Sequence, residues 1–406
     1  MISYSDNKDV TVIVKGPSHV KVKGRASVFG CEVNELHIPE NKTLPIYFEE
    51  DATLFLSEGS FFIPVKGNTI PSSWKKVLDY EFKSFFIYGS SDSGKSSLAT
   101  YLSNMIGGTK ILVDLDIGQS SIAHPAAMGL GISEGKIVSI SEIGMTDGEF
   151  VGTISPSGKE ARCLNAVFDL KKKVKRIKRD TQAIQAVIID STGWVKGKRA
   201  QEYKLAKLNI LEPDVILGFE KPPFLDFIDI ECLEVEPFVA AKRSRNTRMN
   251  FRSRKYAEFL SDADVIELDM EKLRSRSWKI FKGEPLSRED LAVLNDILDG
   301  VVFAEKGDDF LNIFVENQSE ISRELFRTIK EIYGVEDLFI VPKEEMIGLL
   351  VGLYSESYLG FGLIKDIEFN SGIIKVLTQV REKISRIEFG DFRLSEDFRE
   401  CYVRFF

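Results

Sequence analysis

The pattern of hydrophobic and polar positions divides the chain into three stretches of different character. The first, residues 10–64, consists of short runs in which apolar and polar residues alternate, such as VTVIVKG, HVKVKG and ATLFLSEG, separated by Gly, Pro or Asn. Alternation with a period of two over short runs is typical of strands that bury one face. We therefore expect a small N-terminal β domain over residues 1–70.

The second stretch alternates strand-like and helix-like segments. From Lys83 onward the apolar runs FFIYG, KILVDLD and AVIID are separated by longer amphipathic segments, of which SSLATYLSNMIGG is the first. Strands alternating with helices of this length predict an α/β domain, a parallel sheet with helices on both faces. We place it at residues 71–295. The segment from about 255 to 300 is expected to be helical and charged, and its GEPLSREDLAVLNDILDG is typical of a connector with a Ser as the helix cap.

The third stretch returns to short β-branched and aromatic runs. LNIFV, DLFIVP and GIIKVLTQV are separated by Gly and Asn. This pattern predicts a second small β-rich domain over residues 296–406.

Composition narrows the class of protein. The 54 Lys and Arg against 62 Asp and Glu give a formal net charge of -8, which argues against a protein that coats nucleic acid, although a local basic groove remains compatible with it. The four cysteines lie far apart without a CxxC pair, and the three histidines suggest neither a metal cluster nor a hydrolase triad. The longest apolar runs are much shorter than the roughly 20 residues of a membrane helix, so we expect a soluble protein that binds no membrane.

A phosphate-binding motif follows the first strand of the α/β domain. Residues 89–96 match G-x-x-x-x-G-K-[ST], with a strand before and a helix after them. Backbone N–H groups of such a loop surround nucleotide phosphates, the lysine bridges the β- and γ-phosphates, and the hydroxyl ligates Mg²⁺. The motif predicts a site for ATP or GTP and Mg²⁺, formed by Gly89, Ser90, Ser91, Asp92, Ser93, Gly94, Lys95, Ser96 and the adjacent Ser97.

Three carboxylates follow strands of the same domain. Asp114 and Asp116 end KILVDLD, at the carboxyl end of a strand, where ligands of such sheets bind. We expect one of the two to reach the metal or the incoming hydroxyl. We favour Asp116 for the hydroxyl and Asp114 as its support, and both as candidate metal ligands beside Ser96. Asp190, at the end of AVIID, is a competing ligand, and the sequence leaves this choice open.

One aromatic residue and two basic runs add candidate substrate contacts. Trp194 is either a core residue or a platform for a nucleobase. The run at 171–179 has seven basic residues in nine, and much of it reads as a solvated helix face. The run at 242–255 has seven in fourteen, mostly arginine, whose planar group suits phosphoryl oxygens. Arg243 and Arg248 are therefore candidates to close over the γ-phosphate.

In this order and spacing, GSSDSGKSS, DLDIGQSS, DSTGWVKG and RSRNTR resemble the polynucleotide 5′-hydroxyl kinases of RNA processing. The resemblance covers nearly the whole chain, and it implies a P-loop NTPase-type fold flanked by N- and C-terminal β-rich domains. It also implies that Lys95, Asp116, Arg243 and Arg248 are catalytic. By the same resemblance, the substrate is held by Gln119, Thr192, Gly193 and Trp194.

The sequence departs from the family pattern at two places. Asp190 stands where many relatives carry Asn, and the segment SSIAHPAAMGL follows the usual pattern loosely. The first departure leaves the identity of the metal ligands open. The second segment contains His124, for which we favour a structural role.

The resulting hypothesis is a kinase that moves the γ-phosphate of ATP or GTP to the 5′-hydroxyl of RNA or DNA. One alternative is a catalytically silent ATP-binding scaffold in an RNA-processing complex, and a second is an NTPase that never contacts nucleic acid. The expected partners are a 5′-hydroxyl polynucleotide and other RNA-processing proteins. The resemblance places the protein in the cytoplasm of an archaeal-type cell, or in the nucleus of a eukaryotic one.

Overall fold

The fold is known from a computed structural model that describes residues 1–40, 42–181, 183–238, 245–275, 283–317 and 321–403. The chain forms two compact units, one of Met1–Glu149 with Ser155–Arg252, and one of Phe150–Ile154 with Ser253–Phe406. The predicted domain limits near residues 70 and 295 stay a prediction.

The N-terminal part of the first unit is all β, as its alternating pattern predicts. Apolar residues at alternate positions of the strands, for example Val12 and Val14, are fully buried. The strands form a four-stranded sheet, β1-β8-β3-β6, and a five-stranded sheet, β5-β4-β7-β2-β9. They are β1 (Ile2–Asp6), β2 (Val10–Lys15), β3 (Ser18–Lys23), β4 (Ala26–Val28), β5 (Cys31–Glu32), β6 (Glu35–Ile38), β7 (Thr43–Phe48), β8 (Ala52–Leu56) and β9 (Phe61–Lys66).

A seven-stranded sheet of order β13-β12-β11-β14-β10-β15-β16 forms the rest of the first unit. Five neighbouring strands, from β11 to β16 in this order, are parallel, and β12 is antiparallel to β11. Its strands are β10 (Ser84–Tyr88), β11 (Thr109–Asp114), β12 (Ala127–Ser133), β13 (Asp147–Phe150), β14 (Ile184–Asp190), β15 (Val215–Gly218) and β16 (Glu231–Glu234). The helices are α1 (Ser72–Lys76), α2 (Lys95–Met105), α3 (Glu160–Asp180), α4 (Lys198–Leu211) and α5 (Arg245–Leu260), the last continuing into the second unit.

Helices cover both faces of this sheet. Alternate residues of β10 point to opposite faces. Phe85 and Ile87 share a buried cluster with residues of α2, whereas the ammonium group of Lys204 on α4 lies 5.8 Å from the rings of both Phe86 and Tyr88. The predicted fold class, an α/β P-loop sheet with flanking β-rich regions, is confirmed.

The second unit is mainly β. One sheet has the order β17-β25-β24-β23-β26-β18, with β27 paired to β26, and the other has the order β19-β20-β21-β22. Two clusters of buried apolar residues form the cores against these sheets. The elements are β17 (Asp264–Asp269), β18 (Arg274–Ser275), β19 (Glu284–Pro285), α6 (Arg288–Ile297), β20 (Val301–Lys306), β21 (Phe310–Val315), α7 (Arg323–Tyr333), β22 (Asp337–Pro342), α8 (Lys343–Met346), β23 (Leu349–Tyr354), β24 (Tyr358–Glu368), β25 (Ile373–Thr378), β26 (Arg386–Leu394) and β27 (Glu400–Tyr402).

The segment 255–300 differs in part from its sequence-based description. The cap of α6 is as predicted, because the Ser287 hydroxyl accepts a hydrogen bond from the backbone N–H of Asp290 at 3.1 Å. Residues 264–269, however, form a strand paired with β25, not a helix. The short alternating run DVIELD is a strand pattern that the surrounding charged residues obscured.

Candidate active site

The phosphate loop lies between β10 and α2, where the motif places it. Its last residue before the helix, Gly94, is the N-cap of α2 and has φ 105°. A side chain at Gly94 would be strained in this left-handed conformation, and its Cβ would lie 2.8 Å from the carbonyl oxygen of Phe238. The helix N-terminus and the backbone N–H groups of the loop make this end of the sheet attractive to phosphate oxygens.

Two side chains at the start of α2 are positioned by short hydrogen bonds. The Lys95 ammonium group, 7% exposed, donates to the carbonyl oxygen of Ser90 at 2.7 Å. The Ser96 hydroxyl donates to Oδ2 of Asp190 at 2.5 Å. The loop lysine therefore lies inside the loop, and the loop hydroxyl contacts the carboxylate at the end of the neighbouring β14.

Asp114 and Asp190 lie opposite each other at the ends of the adjacent parallel strands β11 and β14. Burial raises the pKa of Asp190, while the charge of Lys95 and the hydrogen bond from Ser96 act in the opposite direction. Burial, followed by the charge of Asp190, raises the pKa of Asp114 to about 7. The two carboxylates therefore disfavour each other's ionised form.

Asp114 supports the segment that follows it. Its Oδ1 accepts the N–H of Asp116 at 2.9 Å. Its Oδ2 accepts the Ser120 hydroxyl at 2.9 Å and the N–H of Ser121 at 2.5 Å. This fully buried carboxylate therefore fixes the conformation of residues 116–121.

Asp116 is more exposed than Asp114. One oxygen, Oδ1, accepts the N–H groups of Gly118 and Gln119, both at 3.0 Å. Within the described residues Oδ2 accepts no hydrogen bond, and both Asp116 and Gln119 line the cleft beside the phosphate loop. An acceptor oxygen on Asp116 thus lies close to where a nucleotide tail would bind.

The cleft itself has a volume of about 210 Å³. Its wall opposite the phosphate loop comes from the N-terminal β region, and Lys42 there donates to the hydroxyls of Ser139 at 2.7 Å and Ser141 at 2.5 Å. The cleft is lined by Phe29, Lys42, Thr43, Leu44, Ser91, Asp92, Gly94, Lys95, Ser96, Ser97, Thr100, Asp114, Asp116, Gln119, Ser121, Val138, Ser139, Asp190 and Phe238. The residues of this wall were not predicted, because no motif marks strands that approach the loop only in the folded chain.

The turn at residues 192–194 packs against the phosphate loop. A Cβ added to Gly193 would lie 2.6 Å from the backbone nitrogen of Ser91, so only glycine fits there. The backbone N–H of Trp194 contacts the Thr192 hydroxyl at 3.3 Å, and the Trp194 ring lies 5.7 Å from the ring of Tyr203. These three predicted substrate residues lie outside the cleft lining but next to Ser91, which belongs to it.

A buried lysine that the sequence analysis missed supports this turn. Lys204 is fully buried, and its ammonium group donates to the Ser191 hydroxyl at 2.8 Å and to the Thr192 carbonyl oxygen. The Ser191 hydroxyl in turn donates to the carbonyl oxygen of Ile87 at 2.7 Å. Lys204 therefore ties the 192–194 turn to the strand that leads into the phosphate loop. No local pattern in α4 distinguishes this lysine from a surface lysine.

The arginine run contributes one described contact to the loop. Arg248 on α5 donates from Nη2 to Oδ2 of Asp92 at 2.9 Å, and Asp92 belongs to the phosphate loop. Arg243, the other predicted lid arginine, lies outside the described residues. The structure thus brings Arg248 to the loop and leaves the position of Arg243 as a prediction.

The other basic run, on α3, is largely a paired helix face. Lys173 contacts Asp147 and Glu149, both at 2.7 Å, and Arg176 contacts Asp147 at 3.2 Å. Lys171 contacts Glu212 at 2.5 Å. Part of this run therefore neutralises nearby carboxylates. The other part agrees with the interpretation as a solvated helix face, because five of its basic residues are exposed: Lys172, Lys175, Arg176, Lys178 and Arg179.

Within the residues that the structure describes, there is no group of three or more His, Cys, Asp or Glu side chains that could hold a metal. The same residues include no helix long and apolar enough to cross a membrane. All four cysteines are free thiols.

The parallel sheet, the glycine-capped loop and the buried loop lysine define a P-loop protein that binds a nucleotide. Residues 89–262 match the family described as mRNA cleavage and polyadenylation factor CLP1 P-loop.

Similarity to named relatives extends over most of the chain. The chain is 28% identical to a polyribonucleotide 5′-hydroxyl-kinase of Pyrococcus furiosus over 344 residues, which cover 81% of this chain and 93% of the relative. It is 27% identical to another of Methanocaldococcus jannaschii, covering 77% and 88%. The sequence-based resemblance to the polynucleotide kinases is confirmed by these matches.

A solved structure of a Clp1p–Pcf11p complex has the same fold. The match has a TM-score of 0.60 at 14% identity and covers 97% of each chain. At this identity the similarity concerns the fold alone.

Proposed function

We propose that the protein is a Mg²⁺-dependent polynucleotide 5′-hydroxyl kinase that moves the γ-phosphate of ATP or GTP to the 5′-hydroxyl of RNA. Relatives that match most of the chain are named polyribonucleotide 5′-hydroxyl-kinases. The observation that carries the proposal is the packing of the 192–194 turn against Ser91 of the phosphate loop, on a chain whose Asp116 lines the cleft at that loop. This arrangement offers a donor site and an acceptor site side by side.

The donor site would hold the triphosphate through the N–H groups of residues 89–96 and the ammonium group of Lys95. The hydroxyl oxygen of Ser96 and Oδ2 of Asp190 lie 2.5 Å apart, and both are oxygen ligands that suit Mg²⁺. This ion binds through one or two carboxylates together with substrate phosphates. When bound, the ion neutralises charge on the β- and γ-phosphates. We assign Asp190 to this site ahead of Asp114, whose oxygens accept hydrogen bonds from residues 116–121.

The acceptor chemistry would depend on Asp116. Its carboxylate accepts the proton of the 5′-hydroxyl while that oxygen forms a bond to the γ-phosphorus. The bond from the γ-phosphorus to the β–γ bridging oxygen breaks, and the nucleoside diphosphate leaves. Trp194 would stack on the terminal base, and Gln119 and Thr192 would hold the terminal nucleotide.

Arg248 would supply positive charge as the phosphoryl group transfers. It is held at the loop by Asp92, at 2.9 Å, so its guanidinium group is already close to the nucleotide tail. We assign the same part to Arg243. A planar guanidinium matches two phosphoryl oxygens at once, which a lysine does not.

The test is transfer of labelled phosphate from γ-labelled ATP or GTP to 5′-hydroxyl RNA and DNA oligonucleotides. Wild-type protein should label RNA, and Lys95→Ala should not. Lys175→Ala, at an exposed position on α3, is the matched lysine control and should retain full activity.

Two other results would contradict the proposal. Tight ATP binding without transfer to any oligonucleotide would identify a scaffold subunit. ATP hydrolysis that oligonucleotides leave unchanged would identify an NTPase that does not act on nucleic acid.

A further inference from the structure

The first turns of α3 and α4 lie side by side in the first unit. The guanidinium Nη2 of Arg199 contacts Oε1 of Glu160 at 2.6 Å, which joins the second residue of α4 to the first residue of α3. The two helices also pack against each other along their length. Residues before both helices therefore share one surface.

Basic side chains dominate this surface. The segments 155–162 and 194–199 contain five basic residues and one acid, Glu160. Lys196, Lys198 and Arg199 are exposed, and Lys159 and Arg162 are partly exposed. We call these five side chains the cationic surface: Lys159, Arg162, Lys196, Lys198 and Arg199.

The cationic surface begins next to the proposed acceptor turn. Lys196 follows Trp194 by two residues, and Lys198 lies at most about 14 Å from Trp194 by the reach of an extended chain. Since Gly193 packs against Ser91 of the phosphate loop, the loop, the turn and the cationic surface follow one another in space. A strand whose 5′ end lies at the loop has this surface beside its next nucleotides.

The remaining basic residues of α3 differ in position, whereas ion pairs occur in both groups, since Lys198 lies 3.8 Å from Glu202 and Arg199 pairs with Glu160. With a rise of about 1.5 Å per residue, Lys175 lies roughly 22 Å along the helix from Glu160. Its neighbours Lys171, Lys173 and Arg176 contact carboxylates. Exposed Lys175 and Lys178 therefore provide a matched pair of lysines on the same layer of helices, away from the turn.

We propose that the cationic surface binds the phosphate backbone of the single-stranded acceptor, on the nucleotides that follow the first two. The proposal rests on the proposed kinase function and extends it to the length of acceptor that the protein recognises. Exposed lysines bind phosphates as mobile point charges, so this contact is independent of base sequence and weakens as salt rises.

The experiment compares K196Q/K198Q with K175Q/K178Q in the full-length protein. Kinase assays use a 5′-hydroxyl RNA of twelve nucleotides and a dinucleotide, and fluorescence anisotropy measures binding of the twelve-nucleotide RNA over a range of salt concentrations. For K196Q/K198Q we expect about a tenfold rise in KM and Kd for the longer RNA. The slope of log Kd against log salt should fall by about 1.4, which is two phosphate contacts on a single strand.

With the dinucleotide, K196Q/K198Q should keep its kcat/KM within twofold of the wild type, and K175Q/K178Q should match the wild type in every assay. The substitutions are at exposed positions, and equal thermal unfolding temperatures would verify that both variants fold. If K196Q/K198Q binds the longer RNA as well as K175Q/K178Q does, the proposal is wrong. If K196Q/K198Q binds the longer RNA normally but binds an acidic peptide more weakly than the wild type does, the cationic surface binds protein, and the proposal is also wrong.

Failure of the proposed function gives a different result. A wild-type protein that phosphorylates no acceptor contradicts the kinase assignment. In that case, salt-sensitive binding of RNA that depends on Lys196 and Lys198 would still support the proposal for the cationic surface. If the protein is an active kinase but its RNA binding does not depend on these lysines, only the proposal for the cationic surface is wrong.

Discussion

The Ser96 hydroxyl donates a 2.5 Å hydrogen bond to Oδ2 of Asp190. This contact distinguishes the three carboxylates that follow the strands of the sheet. Asp190 contacts the loop hydroxyl, and Asp114 accepts hydrogen bonds from the chain that follows it. Asp116 lines the cleft, and within the described residues its Oδ2 accepts no hydrogen bond.

Replacing these carboxylates should separate metal binding from chemistry. Asp190→Asn should raise the Mg²⁺ concentration needed for half-maximal activity, because a charged ligand of the ion is lost. Asp116→Asn should lower kcat by about 10² to 10⁴ and leave the Mg²⁺ requirement unchanged, since it removes the group that accepts the proton. The measurements are initial rates over a Mg²⁺ titration, with nucleotide affinity as the control. Equal shifts of the Mg²⁺ requirement in both variants would contradict this division.

Two buried lysines on α4 should respond to substitution in opposite ways. Lys207 lies with its ammonium group 4.3 Å from the Tyr203 ring, and among the described residues that group has no hydrogen-bond partner. Lys207→Met should therefore stabilise the protein at pH 7, by up to about 3 kcal/mol. Lys204→Met removes the donor to Ser191 and Thr192, so it should destabilise the protein by about 1 to 3 kcal/mol.

The pH dependence of these variants provides an independent check. Burial lowers the pKa of Lys207 from its ordinary value of 10.5 to about 8. Between these values the unfolded chain binds a proton that the folded chain does not, so wild-type stability gains from this group as pH rises. The advantage of Lys207→Met over the wild type should shrink between about pH 8 and 10.5 in urea denaturation. An advantage that stays constant over this window would show that the lysine is not responsible.

The close packing of Gly193 on Ser91 predicts the effect of a single added methyl group. In Gly193→Ala the new Cβ would lie 2.6 Å from the Ser91 nitrogen, so either the acceptor turn or the phosphate loop must move. We expect a loss of tenfold or more in kcat/KM for the polynucleotide. Gly135→Ala is the control, because its Cβ would meet nothing within 4 Å. Similar kinetics for the two variants would place the turn away from the site.

The Arg248 contact predicts a change in rate more than in affinity. Arg248→Ala should lower kcat by about 10³ or more, the range for arginines that stabilise transferring phosphoryl groups. ATP affinity should change by less than threefold. Arg254→Ala, an exposed position on the same helix, should behave as wild type. A variant with normal kcat and weakened ATP binding would indicate a ground-state contact instead.

The sequence predicts those parts of the site that are contiguous in the chain. Residues 89–96 are recognisable because strand, loop and helix are consecutive, and their geometry follows from local backbone requirements such as the positive φ of Gly94. The same holds for the alternating strands of the N-terminal region and for the cap of α6 at Ser287.

Contacts between distant segments were not predictable. Lys42 reaches Ser139 across 97 residues, and the carboxylate of Asp190 reaches Ser96 across 94. Lys204 looks like any lysine in an amphipathic helix until packing of α4 buries it beneath the turn. The choice among three carboxylates likewise depends on which oxygens the folded backbone already uses, and composition carries no information about that.

The wall that Lys42 and Phe29 contribute has a practical consequence for engineering this chain. The side-chain amide of Asn104, on the helix after the phosphate loop, donates to the carbonyl oxygen of Phe29 at 2.9 Å, and Phe29 and Trp74 belong to one buried cluster with α2. A truncated variant that starts after the first strands would retain every residue of the P-loop motif, yet expose apolar surface behind it and open one side of the nucleotide cleft. The P-loop motif therefore depends on the N-terminal strands for its packing, and a shortened kinase would have to keep them.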